Sequence, residues 1–477
     1  MTRAAGHACE IDLQQFSAFL SCPRGFREQR LGRTATPAAT ADGYRRRCRN
    51  ALARHLRAVQ LPNHLSYRTV EHDVEFRADG IRANADLVAT TDDGQAVVAL
   101  VRLGSWRKRN YVLDASFALT AAEASGRRVQ SLLLYHPRKE YVRGLQLCAA
   151  ELLICDDITV AARRLLPEVQ SALQQIVAIS ADAALVEADE LQACGQCRYC
   201  SAEAAATLAV DDPRTLFLAR RKGRELVQAG VESLLGLPQS VTLTPRQRIQ
   251  IEAIRQTRPH VDRPALREFA AQLRYPLRFL DFEAFSLPVP PYPDTRVWEH
   301  IPYLYTLQTV AEPGAAAEQT YFCGSASGDY REQLAGQLMH DLGAVGTIIV
   351  YGRDFEARML RRLGNWVPAA AQALGDCVER VIDLAQPFRE FWYYHHLQRG
   401  SLSMKTILPL LGGIGYEDLK IHNGLEANAV FSTALLEGRP LNPAEQTAVI
   451  DYCARDTAGM ARMTEALLRL CQDGSAC

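Results

Sequence analysis

The chain has 477 residues with 54 Lys and Arg against 54 Asp and Glu, too long for a single core and suited to two or three domains. Apolar and charged fractions of 48% and 23% are ordinary for a globular protein and exclude a disordered or fibrous chain. No run approaches the roughly 18 apolar residues of a membrane span, so no membrane is expected. Met1 to His7 has no apolar stretch like that of a secretory signal. Thirteen cysteines, an odd number in a long chain, read as reduced thiols with a metal site among them, in the cytoplasm. The zero net charge is unevenly spread, because residues 1–150 carry 23 Lys and Arg against 14 Asp and Glu. Arg45-Arg46-Arg47, Arg107-Lys108-Arg109 and Arg127-Arg128 hold much of this excess. It suits a polyanionic partner, and equally an arginine-rich solvated surface.

Along the first 60 residues, Leu13, Phe16, Phe19 and Leu20 make the apolar stripe of an amphipathic helix that ends at Cys22-Pro23. Strands follow over Tyr67–Glu71, Ile81–Ala89 and Val97–Leu103, with Asp92-Asp93-Gly94 as the turn between the last two. A helix over Tyr111–Ser125 and a buried strand over Gln130–Tyr135 complete an α/β core. Residues 157–190 are rich in alanine and leucine and read as helix. Residues 205–272 read as short helices broken at Gly230, Gly236-Leu237-Pro238 and Pro259. A second α/β unit starts near residue 275. Its strands are expected at 277–283, 301–310, 318–323, 347–351 and 379–384. Helices are expected at 329–342, at 354–364 and on to the end, with a proline-rich excursion at 288–293. The expected division is 1–204, a helical connector 205–274, and 275–477.

Two strings in the last part carry the chemistry. Asp281-Phe282-Glu283 closes the apolar run Tyr275–Leu280, and strand alternation puts both carboxylates on one face, where they can share a cation. Tyr452-Cys453-Ala454-Arg455-Asp456 has helical spacing, so its phenol and carboxylate lie one turn apart on one face. Between them, Val350–Leu360 reads as a strand end turning into a helix, with Asp354 and Glu356 as rival ligands on either side of Phe355. Acids gathered from remote segments suit a hydrolase that holds two hard divalent ions, one to activate water and one to stabilise the leaving oxygen.

In that order, these three motifs resemble the four-acid (DEDD) exonuclease superfamily, and most closely its Y-x-x-x-D branch. Val381-Ile382-Asp383-Leu384 and Ser401–Lys405 fit the same pattern, so the resemblance spans roughly residues 275–470. It implies a ribonuclease-H-like fold, two Mg²⁺ or Mn²⁺ ions, and 3′-to-5′ removal of nucleotides from single-stranded DNA or RNA. The implied metal ligands are Asp281, Glu283, Glu356 and Asp456, and Tyr452 is implied to position the attacking water. Glu356 departs from the aspartate usual in the second motif. Asp383 reads as structural, and Lys405 as a surface lysine or a phosphate contact.

The front half also resembles a known class. Cys194, Cys197 and Cys200 form C-x-x-C-x-x-C, and Cys22 is the best fourth ligand. This arrangement is similar to the iron–sulfur nucleases of the PD-(D/E)xK class, which implies a 4Fe–4S cluster, with Zn²⁺ as the alternative. Asp86 fits the motif aspartate, but the expected E-x-K reads Leu100-Val101-Arg102, so a degenerate, inactive module is expected. The whole chain resembles an uncharacterised bacterial family that joins two such units. The rival reading is a non-catalytic nucleic-acid-binding or repair scaffold.

Overall fold

The computed structural model describes residues 10–31, 39–59, 61, 66–183, 186, 191 and 208–472. Two compact units emerge: Met1–Ala206 with Leu287–Glu299, and Thr207–Ser286 with His300–Cys477. Both are α/β, as the alternation of strand-like and helical patterns implied.

In the first unit, the elements in chain order are β1 (Ile11–Asp12), α1 (Leu13–Ser21), α2 (Pro23–Arg30), α3 (Ala39–Arg54), β2 (Tyr67–Ala78), β3 (Ile81–Thr91), β4 (Ala96–Val101) and α4 (Arg109–Ala124). They are followed by β5 (Val129–Pro137), α5 (Ala149–Leu152), β6 (Leu153–Asp157), α6 (Thr159–Arg164) and α7 (Leu166–Ala181). The sheet runs β1-β3-β4-β5-β6, and β2 pairs antiparallel with β3. Phe16 and Phe19 of α1 pack into the core with Phe117 of α4 and Val98 and Leu100 of β4. The α1 stripe therefore does what its spacing predicted. The excursion Leu287–Glu299 belongs here because Val142 bridges Arg296 and the Trp298 indole donates to the Leu103 carbonyl at 2.8 Å.

Elements of the second unit are α8 (Arg220–Gln228), α9 (Pro245–Gln256), β7 (His260–Val261), α10 (Arg263–Ala270), β8 (Leu277–Phe285), β9 (Ile301–Val310), β10 (Glu318–Cys323), α11 (Arg331–Leu342) and β11 (Thr347–Val350). Then come α12 (Arg353–Trp366), α13 (Ala371–Glu379), β12 (Val381–Asp383), α14 (Gln386–Arg389), β13 (Tyr393–Tyr394), α15 (Met404–Leu410), α16 (Gly424–Glu437) and α17 (Pro443–Gln472). The five-stranded sheet runs β10-β9-β8-β11-β12. Its first three strands are antiparallel neighbours, and β8, β11 and β12 are parallel. The segment expected as a connector groups with this unit from Thr207 onward. Phe217 and Ala253 share a core with Phe391 and Tyr394, and β7 pairs with β13. No described helix is long and apolar enough to cross a membrane.

Candidate metal centre

Strand β8 is central, with neighbours on both edges and helices packed on it, so that Glu283 is buried and Asp281 half-buried. Asp281 and Glu283 project from the same face as Phe279 and Phe285, as period-two geometry requires. Against that face lies α17, whose inward side reads Val449, Tyr452, Cys453, Asp456, Thr457 and Met460, a three-and-four spacing of buried positions. Tyr452 and Asp456 therefore ride on the packed side of the helix. Ligand atoms of Asp281, Glu283 and Asp456 all lie within 4.8 Å of one another, the sole such trio of His, Cys, Asp or Glu groups among the described residues.

Glu356 comes from a different direction. Parallel β11 ends beside β8, and Gly352 turns the chain into α12 with φ of 105°, a left-handed conformation that glycine adopts without strain. Asp383 fixes this turn. Its Oδ1 accepts from the Gly352 and Ala385 amides, each at 2.9 Å, and its Oδ2 accepts from Arg389 at 2.8 Å. The structural role read for Asp383 fits these bonds. The helix then carries Asp354 outward into solvent and Glu356 inward, where it is 4% exposed. Of the two rivals, Glu356 is thus the one that faces the buried site. It lies outside the tight trio, yet its charge acts on both Asp281 and Glu283. Its Oε2 is buried and has no hydrogen-bond partner among the described residues.

Four acids crowded in a dry site resist ionisation together. Burial, then the nearby Asp456, Glu283 and Glu356 charges, hold the Asp281 carboxyl well above the usual range. Burial and Asp456 push Glu283 up to about 8, with Lys405 opposing. Burial alone accounts for most of the rise of Glu356 to about 8. Asp456 rises to about 6 through burial, restrained by a hydrogen bond from Tyr416, the Lys405 charge and a hydrogen bond from Tyr452. An acid cluster held at such expense, with one buried carboxylate oxygen unmatched, fits the donor set of a hard divalent cation.

Three further side chains complete the site. Tyr416 donates its hydroxyl to Asp456 Oδ1, so two phenols flank that carboxylate, and their rings lie 6.3 Å apart. Lys405 opens α15, donates to the His422 carbonyl, and holds its ammonium 4.9 Å and 4.8 Å from the Tyr416 and Tyr452 ring centroids. It is a cation within the acid site rather than a remote surface lysine. The buried Cys453 thiol donates to Asp281 Oδ2 at 3.2 Å and accepts from the Thr306 hydroxyl at 3.3 Å. Tyr416 sits in the loop after α15, where no local pattern marks it, and Cys453 was legible only as part of the Y-x-x-x-D string. Tyr303, Tyr305, Tyr393 and Tyr394 are buried in the core, and Tyr303 stacks on Phe431 at 4.0 Å.

In the first unit, buried Asp86 accepts from the Val101 amide at 2.8 Å and pairs with Arg49 at 3.3 Å. Arg102, at the place of the motif lysine, pairs with Asp114 at 3.2 Å. Asp86 thus has the Val101 amide on Oδ2 and the Arg49 ion pair facing Oδ1, which accepts no hydrogen bond among the described residues, and Arg102 is engaged by Asp114. Cys22 is buried at the start of α2, where its sulfur accepts from the Gly25 amide at 3.2 Å. Cys194, Cys197 and Cys200 lie outside the described residues.

Residues 278–403 match a family described as Domain of unknown function (DUF2779). That span holds Asp281, Glu283, Glu356 and Asp383 and stops short of Lys405, Tyr452 and Asp456. No curated protein matches the chain. A solved structure titled "Crystal structure of SSO0001" is 14% identical to it, covering 43% of this chain and 88% of its own, with a TM-score of 0.22. So slight a likeness carries no argument.

Proposed function

We propose that the second unit is a metal-dependent phosphodiesterase that removes nucleotides from the 3′ ends of single-stranded DNA or RNA. The observation that carries this reading is the convergence of Asp281, Glu283 and Asp456 ligand atoms within 4.8 Å, with the unmatched Glu356 oxygen beside them. Asp281, Glu283, Glu356 and Asp456 would hold Mg²⁺ or Mn²⁺, which supplies an activated water and charge stabilisation for the leaving oxygen. Tyr452 and Tyr416 keep the Asp456 carboxylate in one orientation. Lys405 adds a positive charge on the side facing Glu283 and Asp456, where a phosphate group can meet it. The packed helix α17 covers part of the acid face, leaving Asp281 half-buried. The 3′ polarity rests on the resemblance of the three motifs. Digestion of end-labelled oligonucleotides with Mn²⁺ or Mg²⁺ tests the reading, and Asp281→Ala and Asp456→Ala should each abolish it. Full digestion by both variants refutes it, and metal-dependent binding with no cleavage would favour the scaffold reading.

The first unit is proposed to hold a 4Fe–4S cluster on Cys22, Cys194, Cys197 and Cys200, with Zn²⁺ as the alternative. Support comes from the cysteine spacing and from the place of Cys22 at a helix start, where its sulfur already accepts a hydrogen bond from the Gly25 amide. Iron analysis and absorbance near 400 nm of anaerobically purified protein should detect the cluster, and Cys197→Ser should remove it. Stoichiometric zinc without iron would replace it with the alternative.

A further inference from the structure

The first unit carries a cleft of about 400 Å³ that the metal centre does not use. It is lined by Arg107, Lys108, Arg109 and Arg164 over a floor of Val112, Ala161 and Leu165, with no acid among its lining residues. Arg109 is held in a two-pronged pair by Glu168 of α7. Among the described residues, Arg107, Lys108 and Arg164 have no carboxylate partner. Like charges gathered without a protein anion repel one another, and an outside polyanion would relieve that repulsion.

Beside this cleft stands Trp106, 58% exposed. Lys108 lies 4.8 Å from the Trp106 ring centroid and 5.6 Å from that of Tyr111. Cationic groups next to an exposed indole, with Lys108 over one side of the ring, meet the two needs of an unpaired nucleotide, a phosphate contact and an aromatic surface on which a base can stack. A duplex hides its base faces, and an acidic polypeptide has none to offer.

We infer that the Trp106–Arg164 cleft binds single-stranded nucleic acid, with Lys108, Arg107 and Arg164 on the phosphates and Trp106 under a base. This function belongs to the first unit and does not depend on hydrolysis in the second. The test uses the full chain in EDTA, so that no metal-dependent cleavage intervenes, with a labelled oligothymidylate as probe. Of the four tryptophans, Trp106 is exposed and the other three are half-buried, so the probe should quench tryptophan fluorescence in the wild type and fail to do so in Trp106→Ala. Trp106→Ala should weaken binding about ten-fold, and Trp106→Phe should restore most of it. The doubly neutralised Lys108→Gln, Arg164→Gln protein should lower the slope of log affinity against log salt by about 1.4, or about 0.7 for each lost phosphate contact on a single strand. Absence of quenching in the wild type overturns the inference, and that measurement needs no variant. Unchanged affinity in the variants overturns it as well. Equal competition by duplex DNA or polyglutamate would show a general polyanion surface and likewise refute it.

Discussion

Replacing Glu356 with glutamine tests the metal centre through stability, apart from any substrate. Glu356 is 4% exposed, and burial lifts its carboxyl from 4.5 to about 8. The folded protein therefore binds this proton more tightly than the unfolded chain does. The stability it contributes is complete below about pH 4.5 and is lost as pH rises to about 8. At 1.36 kcal/mol per unit, ionised Glu356 costs the metal-free fold about 4 kcal/mol at pH 8 and about 1 kcal/mol at pH 5. Glutamine abolishes that term but leaves an amide short of partners, a loss of about 2 kcal/mol. In EDTA, Glu356→Gln should thus stabilise the protein by about 2 kcal/mol at pH 8 and destabilise it by about 1 kcal/mol at pH 5. In thermal melts these correspond to shifts of about +6 °C and about −3 °C. Adding Mn²⁺ at pH 8 should then raise the wild-type melting temperature more than that of the variant. Shifts of the same sign at both pH values, or equal gains from Mn²⁺, would refute the idea that Glu356 is a buried charge awaiting a cation.

Lys405→Gln removes a cation that restrains both Glu283 and Asp456. The pH at which Mn²⁺ stabilisation reaches half its maximum should rise by roughly half to one unit, and an unmoved midpoint would place the Lys405 charge outside the site's electrostatics. Gly352→Ala forces a Cβ onto φ of 105° and should destabilise the protein by about 1–2 kcal/mol in urea titrations. A neutral effect would show that the β11–α12 turn relaxes freely.

Much of the site was legible in the chain because it follows from backbone periodicity. Strand alternation alone places Asp281 and Glu283 together, and one helical turn alone joins Tyr452 to Asp456. The preference for Glu356 over Asp354 likewise follows from the phase of an amphipathic helix. Other features left no comparable trace. The five residues of β6, Leu153–Asp157, end in two acids and do not alternate like a buried strand. The connector reading failed to show that Phe217 and Ala253 share a core with Phe391 and Tyr394, since packing partners so far apart in sequence leave no local signature. Lys405, Tyr416 and the thiol of Cys453 acquire their roles only once α15, the loop after it, α17 and β8 pack together. The sequence by itself determined which residues share a face within each strand or helix, because that depends on short-range backbone geometry. Only the tertiary structure decided which faces meet, because that depends on burial and packing among segments remote along the chain.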